Sequence, residues 1–431
     1  MNIISWVTGI LKIKGDTDGT KIGNVGDSLK VVIPEETPGY VKFDHHTTDV
    51  FGRLTVAQDW PLWSHSHTYH ADHGDYFDEV ASSTGTFVHN STTAMLDITN
   101  STGSGDSVEL RTYRYFEYLK GREHTFMFTA NPGGAETDVV KQFGAFDDKN
   151  GLFFELAGTS VSVVKRSSTT GSTVDTKYVQ SSWNHDKLDG TGSSGITIDW
   201  STVNLFYIKY SWLGTNIVEW GIYAAGERIP CHRQSYSNSL TSMYMQSGNL
   251  PYGFRLENSA AVGTAPKFHL GCLAVFSGGT PDSVGEVFDV NTGTTELTVG
   301  TTEIVVAAIR MNPSTNRASL RPENFALISP SGNSTVFYKI SIGTTYTGDT
   351  WASIPNSIAQ GMTGYTTFTE GRVIQSGYIK AGGESVNLTK ILSDLYVGRD
   401  MAGSSQTLSI AARTVSSNAK LLFSGRYREY K

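Results

Sequence analysis

The side chains best suited to chemistry lie in the segment WSHSHTYHADHGDYFDE. His65, His67, His70 and His73 fall within nine residues there, with Asp72, Asp75 and Asp78 beside them, and His45 and His46 lie upstream in FDHHTTD. Imidazole and carboxylate ligands suit zinc, copper, nickel or iron. On a strand His65 and His67 share one face, as a metal-binding pair does. The spacing matches no zinc-hydrolase helix motif, and Pro61 and Gly74 give the region a loop-like texture. The competing reading is a polar loop packed on a neighbour, so the four histidines stand as metal candidates only.

Other constellations resolve into turns or sheet packing. Asp147 and Asp148 in FDDKNG form the kind of acidic pair that glycoside hydrolysis uses. Neighbours on a strand point to opposite faces, however, and Lys149-Asn150-Gly151 reads as a turn. RTYRYFEYLKG puts Arg111, Tyr113 and Tyr115 on one face of a predicted strand, with Arg114, Phe116 and Tyr118 on the other. That arrangement serves either a sugar platform or ordinary cross-strand pairing. Asp16-Thr17-Asp18-Gly19 departs from a calcium loop, because Lys21 stands where glycine is needed. It reads as a hairpin turn. No Gly-x-Ser-x-Gly elbow, phosphate loop or dinucleotide fingerprint is present. No catalytic residue and no cofactor site is expected.

The elements that would position these groups are strands. Aromatic and β-branched runs alternate with Gly-, Asp-, Asn- and Ser-rich turns, most clearly from Gln142 to Tyr223. Strands are predicted at Val108 to Tyr118, Thr125 to Ala130, Gly151 to Leu156, Val161 to Lys165, Gly195 to Trp200, Val203 to Trp212 and Ile217 to Tyr223. Gly214-Thr215-Asn216 should close the last two as a hairpin. Phe206, Ile208, Tyr210 and Trp212 share a face, and both faces of that strand are apolar enough for a central position. Further strands are predicted at Ile304 to Arg310, Thr335 to Ile342, Arg372 to Tyr378 and Leu408 to Thr414. A helical turn or two is expected within Ser385 to Gly398, where Leu388, Ile391, Leu392 and Leu395 have helical spacing.

The expected fold is all-β: an N-terminal arm (1–55), a central jelly-roll-like or lectin-like sandwich (56–285) and a smaller C-terminal β-domain (286–431). Gly278 to Glu286 reads as the linker. The 17% charged residues lie below the quarter or so usual for soluble domains, and Gly, Ser and Thr replace them. The net charge of −7, with no basic patch, argues against nucleic-acid binding. The apolar stretch in MNIISWVTGILKIKG is too short for a membrane span, so no membrane association is expected. Cys231 and Cys272 allow no disulfide framework and are expected to be buried thiols.

Several segments carry a family resemblance. DVFGRLTVAQ, ELRTYRYFEYLKGREHTFMFTA, GAFDDKNGLFFEL, WNHDKLDGTGSSGITIDWS and AAIRMNPSTNRASLRPENFALIS, with the opening DTDGTKIGNVGDSLKV, resemble segments of virion structural proteins of tailed bacteriophages. The histidine-rich segment departs from that pattern. The resemblance implies a non-enzymatic particle component, assembled in the host cytoplasm, whose partners are copies of itself and other virion proteins. Tail, collar, baseplate, fibre-associated and capsid-decoration positions all suit it. A host-glycan-binding receptor-recognition module is the alternative expectation, and a glycan hydrolase a third.

Overall fold

A computed structural model of the chain describes residues 49–51, 59–69, 76–279, 285–314, 317–332, 334–348, 350–380 and 395–431, with the backbone alone of Val31–Val32, Lys42–Phe43 and Glu384–Asn387. The fold is all-β, as the alternating texture predicts, and every named strand pairing is antiparallel. Of the arm, Val31–Val32 pairs with Lys42–Phe43 on either side of the PEETPG segment. The apolar N-terminus and the Asp16 turn lie outside the described residues.

Among the described residues two sheets of seven and eight strands face each other. The first runs in the order Val174–Val179, Ser160–Ser167, Gly151–Ala157, Val139–Phe146, Tyr252–Asn258, Ser107–Thr112 and Phe77–Ala81. The second runs Glu227–Ser235, Ile217–Ala224, Asn204–Tyr210, His124–Asn131, Lys267–Ser277, Met95–Thr99 and Thr86–Asn90, with Trp60–Ser66 also on Lys267–Ser277. Period-2 alternation sends Phe206, Ile208 and Tyr210 inward. Phe128 of the second sheet meets Phe143, Phe154 and Phe254 of the first at ring-centroid distances of 6.0, 6.3 and 6.2 Å. Each such aromatic pair adds about 0.5–1.5 kcal/mol beyond its buried area. The predicted hairpin closes through Gly214 and Asn216, both with positive φ.

A second core forms between a five-stranded and a six-stranded sheet. Its centre is Ala419–Tyr430, which pairs with Glu286–Asn291, Leu297–Val299 and Ser319–Ser329. Ile309, Ile340, Ile410 and Leu421 are buried between the layers.

Four expectations need correction. The strand starting at Ser107 ends at Thr112, not Tyr118. The Thr112 hydroxyl donates to the Arg114 carbonyl at 2.9 Å, and the chain turns off the sheet there. Gly195 to Trp200 forms no strand, only an isolated bridge between Asp189 and Thr197. The Asp186 carboxylate takes the N–H groups of Leu188 and Ser194 at 2.8 Å each, and Asp199 takes that of Ser201. Side-chain acceptors here replace ladder partners. Within the expected helical turn, Ser385–Asn387 belong to a strand on Ala326–Ile328, and residues 388–394 lie outside the described set. Cys231 is buried as expected, but Cys272 is exposed, and both are free thiols.

Candidate functional site between the sandwiches

Residues from both cores meet around a cavity of about 240 Å³. The first sandwich contributes Arg111, Tyr115 and the Asp147-Asp148-Lys149 turn. The second contributes Pro313, Arg317, Arg399, Asp400 and Met401.

Arg111 is the hub. It stands one residue before the strand end, opposite Asp78 in register. Its guanidinium donates to Glu109 Oε1 at 2.5 Å and to Asp148 Oδ1 at 2.8 Å. Burial works against its charge, but Glu109 and then Tyr115 and Asp148 outweigh that and hold its pKa above the usual arginine value. Asp148 is also penalised by burial, yet the hydrogen bond and charge of Arg111 hold its carboxyl below the usual range. Burial and the nearby Asp147 charge push the Tyr115 phenol up.

Asp147 does two jobs at once. Oδ1 accepts the backbone N–H groups of Lys149 and Asn150, each at 2.7 Å, which forms the expected turn. Oδ2 accepts from Arg317 Nε at 2.9 Å, which joins the sandwiches. Arg317 also donates through Nη1 to Gln246 Oε1, and its carbonyl accepts from Asn249 Nδ2. Its φ of 58° lies in the left-handed region, uncommon for a side chain of this size. Ser319 Oγ donates to the Tyr115 carbonyl at 3.1 Å, and Met401 N–H to Asp78 Oδ2 at 2.6 Å. Burial, more than any charge, raises the Asp78 carboxyl pKa.

The structure thus unites two segments, Arg111 with Tyr115 and Asp147 with Asp148, and separates Tyr113 from them. Tyr113 lines a smaller aromatic recess with Trp63, Tyr76 and Tyr396. The two tyrosines part because Thr112 ends the strand. Arg114 lines the same aromatic recess, with its guanidinium carbon 3.4 Å from the Tyr396 ring centre. Sequence reasoning missed Arg317, Arg399 and Asp400, because only the packing of one sandwich on the other brings them to the cleft. The available signal was the Asn312-Pro313 turn before Arg317.

The histidines form an aromatic row. Trp63, His65 and His67 alternate onto one face; the His65 and His67 ring centres are 4.6 Å apart, and Phe77 meets His65 edge-on and His67 at a tilt. His70 and His73, like His45 and His46, lie outside the described residues. Among the described residues no group of three His, Cys, Asp or Glu side chains is arranged to hold a metal. No helix there is long and apolar enough to cross a membrane.

No family model and no curated protein matches this chain. Among solved structures it is similar to a β-1,3-glucanase from Mycobacterium marinum, at 10% identity and a TM-score of 0.36, over 50% of this chain and 98% of that one. A glycosyl hydrolase family 16 protein from Mycobacterium smegmatis gives 12% identity and 0.34, over 50% and 99%. The carbohydrate recognition domain of Emp47p gives 12% and 0.33, over 51% and 97%. A likeness this weak leaves fold and function to rest on the strands and side chains described above.

Proposed function

We propose that this chain is a non-enzymatic glycan-recognition module and that the cleft between its sandwiches holds the sugar. The observation behind this reading is the convergence of Tyr115, Arg111, Asp147 and Asp148 with Arg317 and Asp400 on one small space. A sugar ring offers an apolar face and a rim of hydroxyls. Tyr115 supplies an aromatic surface, and arginine–carboxylate pairs supply donors and acceptors already fixed in place. The cavity falls below the roughly 300–1,000 Å³ of pockets for drug-sized ligands, which suits a single sugar residue.

Binding fits this site better than hydrolysis. A general acid for glycoside cleavage needs a raised carboxyl pKa. Asp148 is held below the usual range by Arg111, Asp147 is tied to Arg317 and two backbone N–H groups, and Asp78, whose carboxyl burial raises, does not line the cleft. The setting we propose is the tailed-phage particle implied by the sequence resemblance, where such a module would read a host surface glycan beside other virion proteins.

The test is glycan-array binding of the full chain, alongside Tyr115→Ala and, as a control on an exposed aromatic away from the cleft, Tyr378→Ala. Tyr115→Ala should weaken binding about tenfold, the effect of losing roughly 1.4 kcal/mol, while Tyr378→Ala binds normally. Binding of no glycan by the wild type, or equal binding by Tyr115→Ala, refutes the proposal. Release of reducing sugar would favour the hydrolase instead.

A further inference from the structure

The outer face of the eight-stranded sheet holds a buried lysine beside two buried carboxylates. Alternation turns Ile208 and Tyr210 into the core, so Tyr207 and Lys209 point outward. Glu123, Lys209 and Glu219 are nonetheless 3%, 5% and 2% exposed. Lys209 Nζ lies 2.5 Å from Glu123 Oε1. Glu219 is the cross-strand partner of Lys209, so the two side chains leave the sheet on one face. The Tyr207 hydroxyl donates to Glu219 Oε1 at 2.9 Å and fixes that carboxylate in place. The turn at residues 49–51 covers Glu123: Val50 is 3% exposed, and its N–H donates to Glu123 Oε2 at 2.5 Å. Burial outweighs the Lys209 charge and raises the Glu123 carboxyl above its usual range.

An ion pair in this setting is costly, because both charges have lost their water. A neutral amide carries no such penalty. The surrounding groups also supply what amide formation requires. Lys209 Nζ is the nucleophile, held against the carboxyl group it would attack. The Val50 N–H stands where negative charge would develop on Oε2. Glu219 offers a carboxylate on the same face as the amine, suited to carry a proton from nitrogen to the departing oxygen. Burial of all three groups keeps out the water that would reverse the reaction.

We infer that Lys209 and Glu123 condense into a side-chain amide, a covalent cross-link within the first sandwich. A proton first passes from Nζ to Oε1, leaving a neutral amine against a neutral acid. The Nζ lone pair attacks Cδ of Glu123, the C–N bond forms, and the electron pair moved onto Oε2 is held by the Val50 N–H. Glu219 takes one proton from the nitrogen and gives it to Oε1. The Cδ–Oε1 bond then breaks, and Oε1 leaves as water. One ammonium and one carboxylate become one amide and one water, with no oxidant or cofactor. The bond ties the strand Asn204–Tyr210 to the residue preceding its neighbour His124–Asn131. These strands then stay joined even when their ladder opens.

The test is the intact mass of the aged full-length chain, followed by a search of its proteolytic digest. Wild type should be lighter than its sequence by one water, and the digest should contain a branched peptide joining Glu123 to Lys209. Lys209→Met removes the nucleophile and should have the full mass. Glu219→Gln keeps both partners and should form the bond about a hundredfold more slowly, the effect of losing a positioned proton carrier. Wild type at its full mass, or a water loss that persists in Lys209→Met, overturns the inference. Bond formation at the wild-type rate in Glu219→Gln overturns the role of Glu219. The branched peptide is sought in wild type, so a variant that fails to fold leaves the test intact. The inter-sandwich cleft takes no part, so this inference and the glycan reading fail separately.

Discussion

Arg317 and Asp147 form an ion pair between the sandwiches, with Nε 2.9 Å from Oδ2 and side chains 13% and 5% exposed. Arg317 makes it from a backbone position with φ of 58°, so local strain accompanies the contact that joins the two cores. Asp147 is fixed by its own turn, and the arginine reaches a target already set.

Arg317→Ala should lower the denaturant midpoint by an amount equivalent to about 1–3 kcal/mol, as expected for a mostly buried charged hydrogen bond. Arg317→Gly should lose less than Arg317→Ala, because glycine accepts positive φ without the Cβ penalty. Equal losses would mean that the backbone strain is not relieved.

Arg111→Gln should cost more than Arg317→Ala, because it strands Glu109, whose side chain is only 14% exposed. A loss of about 3 kcal/mol is expected for breaking a buried pair. Arg111→Lys keeps the charge but not the planar guanidinium whose Nη2 donates to both carboxylates, and should recover part of the stability and little glycan affinity. Chemical denaturation and glycan titration together separate these effects.

Gly398 packs against the Tyr113 backbone, and a Cβ at residue 398 would overlap the Tyr113 carbonyl. Gly398→Ala should therefore push the second sandwich off the first near the cleft. The expected result is weaker glycan binding with strand content unchanged by circular dichroism.

His232 and His124 give the fold a pH dependence. Burial, assisted by His185, lowers His232 from 6.5 to about 4, and burial lowers His124 to about 3. Between pH 6.5 and 4 the unfolded chain takes up a proton on His232 that the folded chain refuses. Stability is therefore full above about pH 6.5 and falls as pH drops through this window toward about 4. His124 acts in the same direction, because its Nε2 must stay unprotonated to accept the Leu119 N–H at 3.0 Å. His232→Phe, which keeps a ring against Tyr178, should flatten the slope of stability against pH measured by urea denaturation.

The strands were readable because their signals are local. Phe206, Ile208 and Tyr210 declare a face by alternation alone, and Gly214 and Asn216 mark their hairpin. The end of the strand at Thr112 was not readable, since the stop is one hydroxyl-to-carbonyl bond within an apolar run. That one stop is also why Tyr113 and Tyr115, expected side by side, line different recesses. Asp147 and Asp148 read correctly as a turn, but the second role of Asp147 depends on Arg317, 170 residues away in sequence, and that of Asp148 on Arg111. His65 and His67 did fall on one face, as their spacing required, and their nearest neighbours there are aromatic rings.

The strand Ala419–Tyr430 has a consequence for how the protein is made. It pairs with Glu286–Asn291, Leu297–Val299 and Ser319–Ser329, so the second core has no centre until Tyr430 has been synthesised. The first sandwich can close while the ribosome is still translating; the second cannot. Its early strands must wait unpaired through more than a hundred codons, which is the interval when a nascent chain most needs a chaperone.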